Sequence, residues 1–146
     1  MIQEKRRYVQ SEIEIKVRFS EVDAMRVVWH GNYLKYFEDA REALGLEQNL
    51  NYLNIAALGF FVPIVHSEID HLWPITYGSK AKVIVRLLDT RAAKIIHEYE
   101  VWDLDENKLS ARGETVQVFV SVERKLELNI PEFFESWKTG LKWIED

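Results

Sequence analysis

Residues 12–19, EIEIKVRF, alternate strictly between apolar and charged side chains. Ile13, Ile15, Val17 and Phe19 share one side, and Glu12, Glu14, Lys16 and Arg18 share the other. A period of two predicts a half-buried strand. Across 32–44 the period lengthens. Tyr33, Phe37, Ala40 and Leu44 follow one another at helical intervals, flanked by Tyr36 and Ala43. This predicts an amphipathic helix with Gly45 as its stop and Gly31 or Asn32 as its N-cap. A shorter helix is expected at 51–58, closed by Gly59.

The second half is richer in Val, Ile, Phe and Tyr, and it predicts strands at 61–73, 80–89, 94–103 and 108–122. Asp89-Thr90-Arg91-Ala92 and Asp103-Leu104-Asp105-Glu106-Asn107 suit hairpin loops, which make the strands they join antiparallel neighbours. Pro74 and Gly78 mark a longer turn between the first two of these strands. Pro131 opens a last helix with Phe133, Phe134, Trp137, Leu141 and Ile144 on one side. Gly140 weakens it by roughly 1 kcal/mol relative to Ala. The order is strand, helix, four antiparallel strands, helix. One long helix has to cover the sheet, which gives an α+β, two-layer domain. No internal repeat, linker or low-complexity stretch interrupts it, so 1–146 is expected to be a single domain.

Composition narrows the class. With 47% apolar and 29% charged residues, the 146-residue chain has the balance of a globular protein with a sizeable core. No apolar run is long enough for a transmembrane helix, and MIQEKRRYVQ lacks the apolar core of a secretory signal. There is no cysteine, which removes disulfide and thiol chemistry. These features fit a cytoplasmic protein. A net charge of −5 argues against nucleic acid as a partner, though it leaves room for a local basic pocket.

Several catalytic signatures are missing: the Gly-x-Ser-x-Gly elbow, the phosphate-binding loop, the dinucleotide fingerprint and His-Glu-x-x-His. His66, Glu68 and Asp70 share one strand face and faintly suggest a metal site, with His71 pointing the other way. Ordinary sheet-facing polar residues explain the trio better, and no metal is expected. The best remaining constellation is the segment RFSEVDAMRVVWHGNYLKYFEDAREALG, residues 18–45. Asp23, with an ordinary carboxyl pKa of about 3.9, is ionised at neutral pH. It can serve as nucleophile or as general base. The helix that starts a few residues later offers unpaired N–H groups and a partial positive charge that can hold an oxyanion. A turn residue with no chemical role is the alternative.

The run from Asp23 to Arg41 resembles the signature of the 4-hydroxybenzoyl-CoA thioesterase family of hot-dog proteins. The shared features are an Asp after the first strand, a Val-Val-Trp-His turn, Asn32-Tyr33, and an aromatic-rich helix passing through Glu38-Asp39-Ala40-Arg41. Val62-Pro63-Ile64 and Asn129-Ile130-Pro131 also look like that family. The resemblance implies a hot-dog fold, an antiparallel sheet of about five strands wrapped around a long central helix. It implies an acyl-CoA thioesterase in which Asp23 is nucleophile or general base. The backbone N–H groups of His30 and Gly31 would polarise the thioester carbonyl. Tyr33 would line the acyl pocket or simply pack, and Trp29 and Glu38 would lie near the site. Many members carry a glycine where this chain has Met25-Arg26, so Arg26 either alters the turn or brings a charge to the pocket mouth. Glu21 fills the acidic position two residues before Asp23.

The resemblance also implies an acyl-CoA or acyl-carrier-protein substrate, no cofactor beyond the coenzyme A of the substrate, and no membrane partner. Two edge strands would pair across a two-fold axis to give a homodimer or a dimer of dimers, with Trp29, Trp73 and Phe61 near the shared end. Arg91, Lys94, Arg112, Arg124 and Lys125 are candidates for the coenzyme A phosphates, no one of them singled out. Two other functions remain open: a non-catalytic acyl-binding module, for which Arg26 is the best support, and a hot-dog dehydratase, which would need a His paired with an acid from another element.

Overall fold

The computed structural model describes residues 6–146. The chain runs β1 (Arg7–Lys16), a 3-10 turn (Phe19–Glu21), α1 (Asn32–Glu47), α2 (Tyr52–Ala57), β2 (Phe60–Phe61), β3 (Ile64–His71) and β4 (Lys80–Leu88). It continues with β5 (Lys94–Asp103), β6 (Lys108–Val118), β7 (Val120–Ser121), α3 (Glu132–Thr139) and β8 (Ile144–Glu145). Six strands form one sheet in the order β3-β6-β5-β4-β1-β8, while β2 and β7 pair on their own. Every pairing is antiparallel. This is the hot-dog arrangement the sequence suggests, a curved sheet around one long helix.

The helix is held by the alternation of the strands it covers. Ala81, Val83 and Val85 of β4, Tyr99 and Val101 of β5, and Ala111 of β6 are essentially inaccessible. They meet Tyr36, Phe37, Ala40 and Leu44 of α1 in one core. Phe37 stacks on Tyr99 with ring centroids 4.2 Å apart. Gly113 of β6 makes this possible, because a Cβ there would stand 2.6 Å from the Phe37 ring. Burying such a ring contributes roughly 1.5–3 kcal/mol.

Several boundaries differ from the expectation. β1 starts at Arg7 and stops at Lys16. Its inward face continues through Val9 and the polar Ser11, which hides the alternation from a hydropathy pattern. Phe19 leaves the strand for the 3-10 turn and is 77% exposed, so it is not a core residue. Gly45 does not end α1. The helix runs on to Glu47, and Asn49 takes the positive φ of 60° that the chain needs to leave it. Gly45 serves instead to let Leu50 return close: the Leu50 N–H donates to Gly45 O at 2.9 Å, and a Cβ would meet Leu50 O at 2.8 Å. Gly31 is the N-cap and Asn32 is the first helical residue.

The strand expected at 61–73 is divided between β2 and β3, with an irregular register at Ile64/His66 opposite β6. The one expected at 108–122 is divided between β6 and β7. The last helix stops at Thr139, with Gly140 as its cap, so Leu141 and Ile144 lie beyond it. Ile144 pairs with Tyr8 in the short strand β8.

Candidate active site

The site is assembled around the entry to α1. Two backbone hydrogen bonds and a β-bridge shape the turn that carries Asp23. Its N–H donates to Val27 O at 2.9 Å, and its carbonyl accepts from the Arg26 N–H at 2.9 Å. Val22 and Val28 then pair as an antiparallel bridge. The result is a small hairpin with Ala24, Met25 and Arg26 in its loop. Arg26 sits in the left-handed region with φ 65°. A three-residue hairpin loop requires that conformation at its last position, and glycine usually supplies it. The arginine therefore keeps the turn rather than altering it, at a cost of about 1 kcal/mol.

The Asp23 side chain is half-buried. Its Oδ1 accepts the Met25 N–H at 2.8 Å, which fixes the carboxylate's orientation. Among the described residues Oδ2 has no hydrogen-bond partner. Glu21 ties this turn to the helix. Its carbonyl accepts both the Trp29 N–H at 2.9 Å and the Asn32 side-chain amide at 2.7 Å. Its carboxylate accepts the Arg18 N–H at 2.7 Å and so caps the 3-10 turn. The acidic pair thus divides: the Glu21 carboxylate caps the 3-10 turn, and Asp23 keeps one oxygen uncommitted among the described residues.

The helix start is equally constrained. Gly31 has ordinary helical angles, φ −66° and ψ −20°, so conformation is not what demands glycine. Space is. A Cβ at Gly31 would stand 2.2 Å from the Trp29 ring, which lies across it. Among the described residues the N–H groups of His30 and Gly31 donate to no partner. They are orphan donors at a helix N-terminus, where the macrodipole favours negative charge. A half-buried carboxyl group and a pair of unpaired donors therefore flank the same short segment.

The side chains around it have distinct roles. Trp29 is half exposed and packs on His30 with centroids 5.0 Å apart. Tyr33 is buried, and its hydroxyl shares a 3.0 Å hydrogen bond with Ser110. Ser110 in turn donates to Trp73 O at 2.6 Å. Burial is the main cause raising the Tyr33 pKa above its usual value, so the phenol stays neutral. Packing is thus the observed role of Tyr33. Glu38 points away into solvent, with Arg41 3.8 Å from its carboxylate.

One neighbour was not among the candidates. His71, at the end of β3, lies 5.2 Å from the Tyr33 ring and 6.5 Å from the His30 ring. The strand alternation contained the signal, since it turns His71 away from His66, Glu68 and Asp70. That trio is split by its contacts. His66 pairs with Glu68 at 3.4 Å, and Asp70 with Arg112 at 3.2 Å. Phe61 sits opposite Val120 in the β2–β7 pair, ahead of the start of β3, whereas Trp73 follows β3 at its other end. Phe61 therefore does not share the end of the sheet at which Trp73 and His71 meet α1. Of the basic candidates, Arg112 is engaged by Asp70, Arg124 occupies a turn at φ 62°, and Arg91 lies in the β4–β5 loop.

The fold and this helix entry define a hot-dog protein of the thioester-processing type. Residues 17–138 match the family model for the thioesterase-like superfamily, and the chain belongs to that superfamily. Among relatives, the chain is 29% identical over 130 residues to Bacillus subtilis YneP, whose name provisionally assigns it as an acyl-CoA thioesterase; the match covers 89% of this chain and 94% of that one. It is 25% identical over 129 residues to a 1,4-dihydroxy-2-naphthoyl-CoA hydrolase from Synechocystis, covering 88% and 91%. A solved 1,4-dihydroxy-2-naphthoyl-CoA thioesterase from Synechocystis superposes with a TM-score of 0.80 at 24% identity, over 91% of this chain and 98% of the other. That last likeness establishes the fold. No helix among the described residues is long and apolar enough to cross a membrane.

Proposed function

We propose that this protein is an acyl-CoA thioesterase in which Asp23 attacks the thioester carbonyl or activates the water that does. The His30 and Gly31 N–H groups hold the oxyanion that forms. The supporting observation is the joint anchoring of both parts by the Glu21 carbonyl, which binds Trp29 and Asn32. Reaction proceeds by addition of oxygen to the carbonyl carbon. Negative charge collects on the carbonyl oxygen in front of donors that need no reorganisation. Collapse then expels coenzyme A as thiolate, which takes a proton from solvent. If Asp23 is the nucleophile, a mixed anhydride forms and water cleaves it; if it is a base, it takes the proton of the attacking water directly. Both routes end in the free acid and the thiol. The resemblance of Asp23–Arg41 to the 4-hydroxybenzoyl-CoA thioesterase family and the names of the relatives support this reading. The Arg26 turn offers nothing to a non-catalytic alternative, because the loop keeps its left-handed residue.

The minimum unit is proposed to be a homodimer. The outer edge of β3 ends the sheet, and its flanks expose Ile64, Val65, Leu72 and Trp73. An unpaired edge of this length with apolar flanks invites pairing with another strand. A two-fold pairing of β3 edges would bring a partner to the His71 end of each site. Coenzyme A is favoured over a carrier protein by the relatives' names. A cytoplasmic setting follows from that substrate.

The test is direct. Mass spectrometry of free acid and thiol from a panel of aryl and fatty acyl-CoAs is expected to show hydrolysis. Asp23→Asn is expected to lower the rate by about 10² or more with the fold unchanged. Activity within a few-fold of wild type in Asp23→Asn would sink the catalytic assignment. An active monomer in sedimentation during turnover would sink the dimer.

A further inference from the structure

The other half of α1 carries a polar feature that hydrolysis does not use. Arg41 is only 6% exposed. Its Nε donates to Tyr52 Oη, and its Nη1 to Tyr99 Oη at 3.1 Å. The carboxylate nearest to it, Glu38, stands 3.8 Å from Nη2 and is 67% exposed. Buried guanidinium groups are as a rule paired with, and hydrogen-bonded to, acids. This one leans on two tyrosine hydroxyls and a solvated side chain.

Arg41 lines a cavity of about 40 Å³ that opens to solvent on one side. Asn51, Tyr52, His97, Gln117 and the exposed Glu42 supply its other polar walls, and Leu44, Leu50, Ile55, Phe134 and Trp137 form much of the apolar remainder. His97 is 6% exposed, and its Nδ1 has no hydrogen-bond partner. Burial, reinforced by the Arg41 charge, holds its pKa down at about 3, so the imidazole is neutral. An unpartnered, buried polar nitrogen marks a place where a partner belongs. The enclosed volume admits one or two water-sized groups, the scale of a carboxylate head. Anything attached to that head has to follow the apolar wall outward to the mouth.

We propose that this cleft binds a small aliphatic carboxylate, its head held by Arg41 beside His97 and its tail lying against Leu44, Leu50, Ile55 and Trp137. The guanidinium fork matches a carboxylate in shape and charge. The site is separate from the helix entry. Arg41 follows His30 by eleven residues, about 16 Å along the helix axis. It does not depend on the hydrolytic reading, because binding can be measured with no thioester present.

Calorimetric titration of the wild-type protein with acetate, butyrate and hexanoate tests it, with the corresponding amides as uncharged controls. Saturable binding is expected, tighter for butyrate than for acetate, and at least 10-fold weaker for butyramide. Arg41→Gln is expected to weaken butyrate at least 10-fold. Should that variant fail to fold by circular dichroism, Ile55→Phe fills the cavity while keeping Arg41, and it is expected to block butyrate. Asp23→Asn is expected to bind butyrate as the wild type does; loss of binding there would place the ligand at the helix entry and overturn the proposal. So would equal affinity for butyramide, unchanged binding in folded Ile55→Phe, or no saturable carboxylate binding by about 10 mM.

Discussion

The two ends of α1 solve opposite problems. At its start the helix has polar groups with no partner among the described residues: half of the Asp23 carboxylate and the N–H groups of His30 and Gly31. These groups are near water, so leaving them free costs little. Their value lies in geometry, which is why so many hydrogen bonds fix the turn. Towards its end the helix buries a full charge, Arg41, among phenols and a neutral histidine. There each unpaired group is expensive, and its position is dictated by packing. Unsatisfied polarity at an exposed helix end is a resource, and the same polarity in the interior is a liability that calls for a partner.

Phe37 lies between the two ends, and its removal is the most drastic way to break the contrast. Phe37→Ala takes away the ring stacked on Tyr99. A loss of about 3–5 kcal/mol is expected in denaturant unfolding, with both ends disturbed together. A loss below 1 kcal/mol would show that the helix is held mainly elsewhere.

Acid isolates the interior end. His97 is neutral in the folded protein with a pKa of about 3, against 6.5 for a free imidazole. The unfolded chain therefore binds more protons between those values, and stability falls as pH drops from 6.5 towards 3. The slope from this residue approaches about 1.4 kcal/mol per pH unit. His97→Phe is expected to flatten the decline of the unfolding midpoint across that window. An unchanged slope would mean that other groups set the acid limit.

Gly31→Ala tests the exposed end. The new Cβ collides with Trp29, and either the ring or the helix start has to move. Displacement by about 1 Å at a reacting centre is expected to lower kcat/KM by about 10- to 100-fold. The melting temperature should fall by only a few degrees. Equal losses of activity and stability would remove the distinction between the two ends.

Arg26→Gly has the smallest expected effect. It relieves the left-handed arginine and is expected to stabilise the fold by up to about 1 kcal/mol. Hydrolysis should be unchanged. A large change in KM would instead assign the guanidinium to the substrate.

Local reading made β4, β5 and the body of β6 legible, because the segments containing them are rich in Val, Ile, Phe and Tyr, and in β5 buried and half-buried positions alternate from Ile95 to Asp103. It failed where one residue type serves two purposes. Gly45 looks like a helix stop but is there for the close return of Leu50, while Asn49 does the work assigned to glycine. Phe19 continues an alternation that the backbone has already abandoned for a 3-10 turn. The candidate site divides in the same way. Asp23, His30 and Gly31 belong to one continuous segment and could be read from it. Ser110 reaches Tyr33 from 77 positions away, and His71 arrives from the edge strand. Neither is visible before the sheet is assembled. Arg41 was part of a recognised motif, yet its burial among Tyr52, Tyr99 and His97 depends on two other elements, α2 and β5.

The Glu21 carbonyl has a wider consequence. Because the turn is indexed to the helix by main-chain atoms and one asparagine, the side chains at Ala24, Met25 and Arg26 are decoupled from the position of Asp23. Proline at position 25 and β-branched residues or proline at position 26 aside, they can be exchanged without retuning the geometry of the turn. The loop is thus a variable rim on an invariant frame. A library randomised at those three positions would sample new thioester preferences while leaving the chemical step in place.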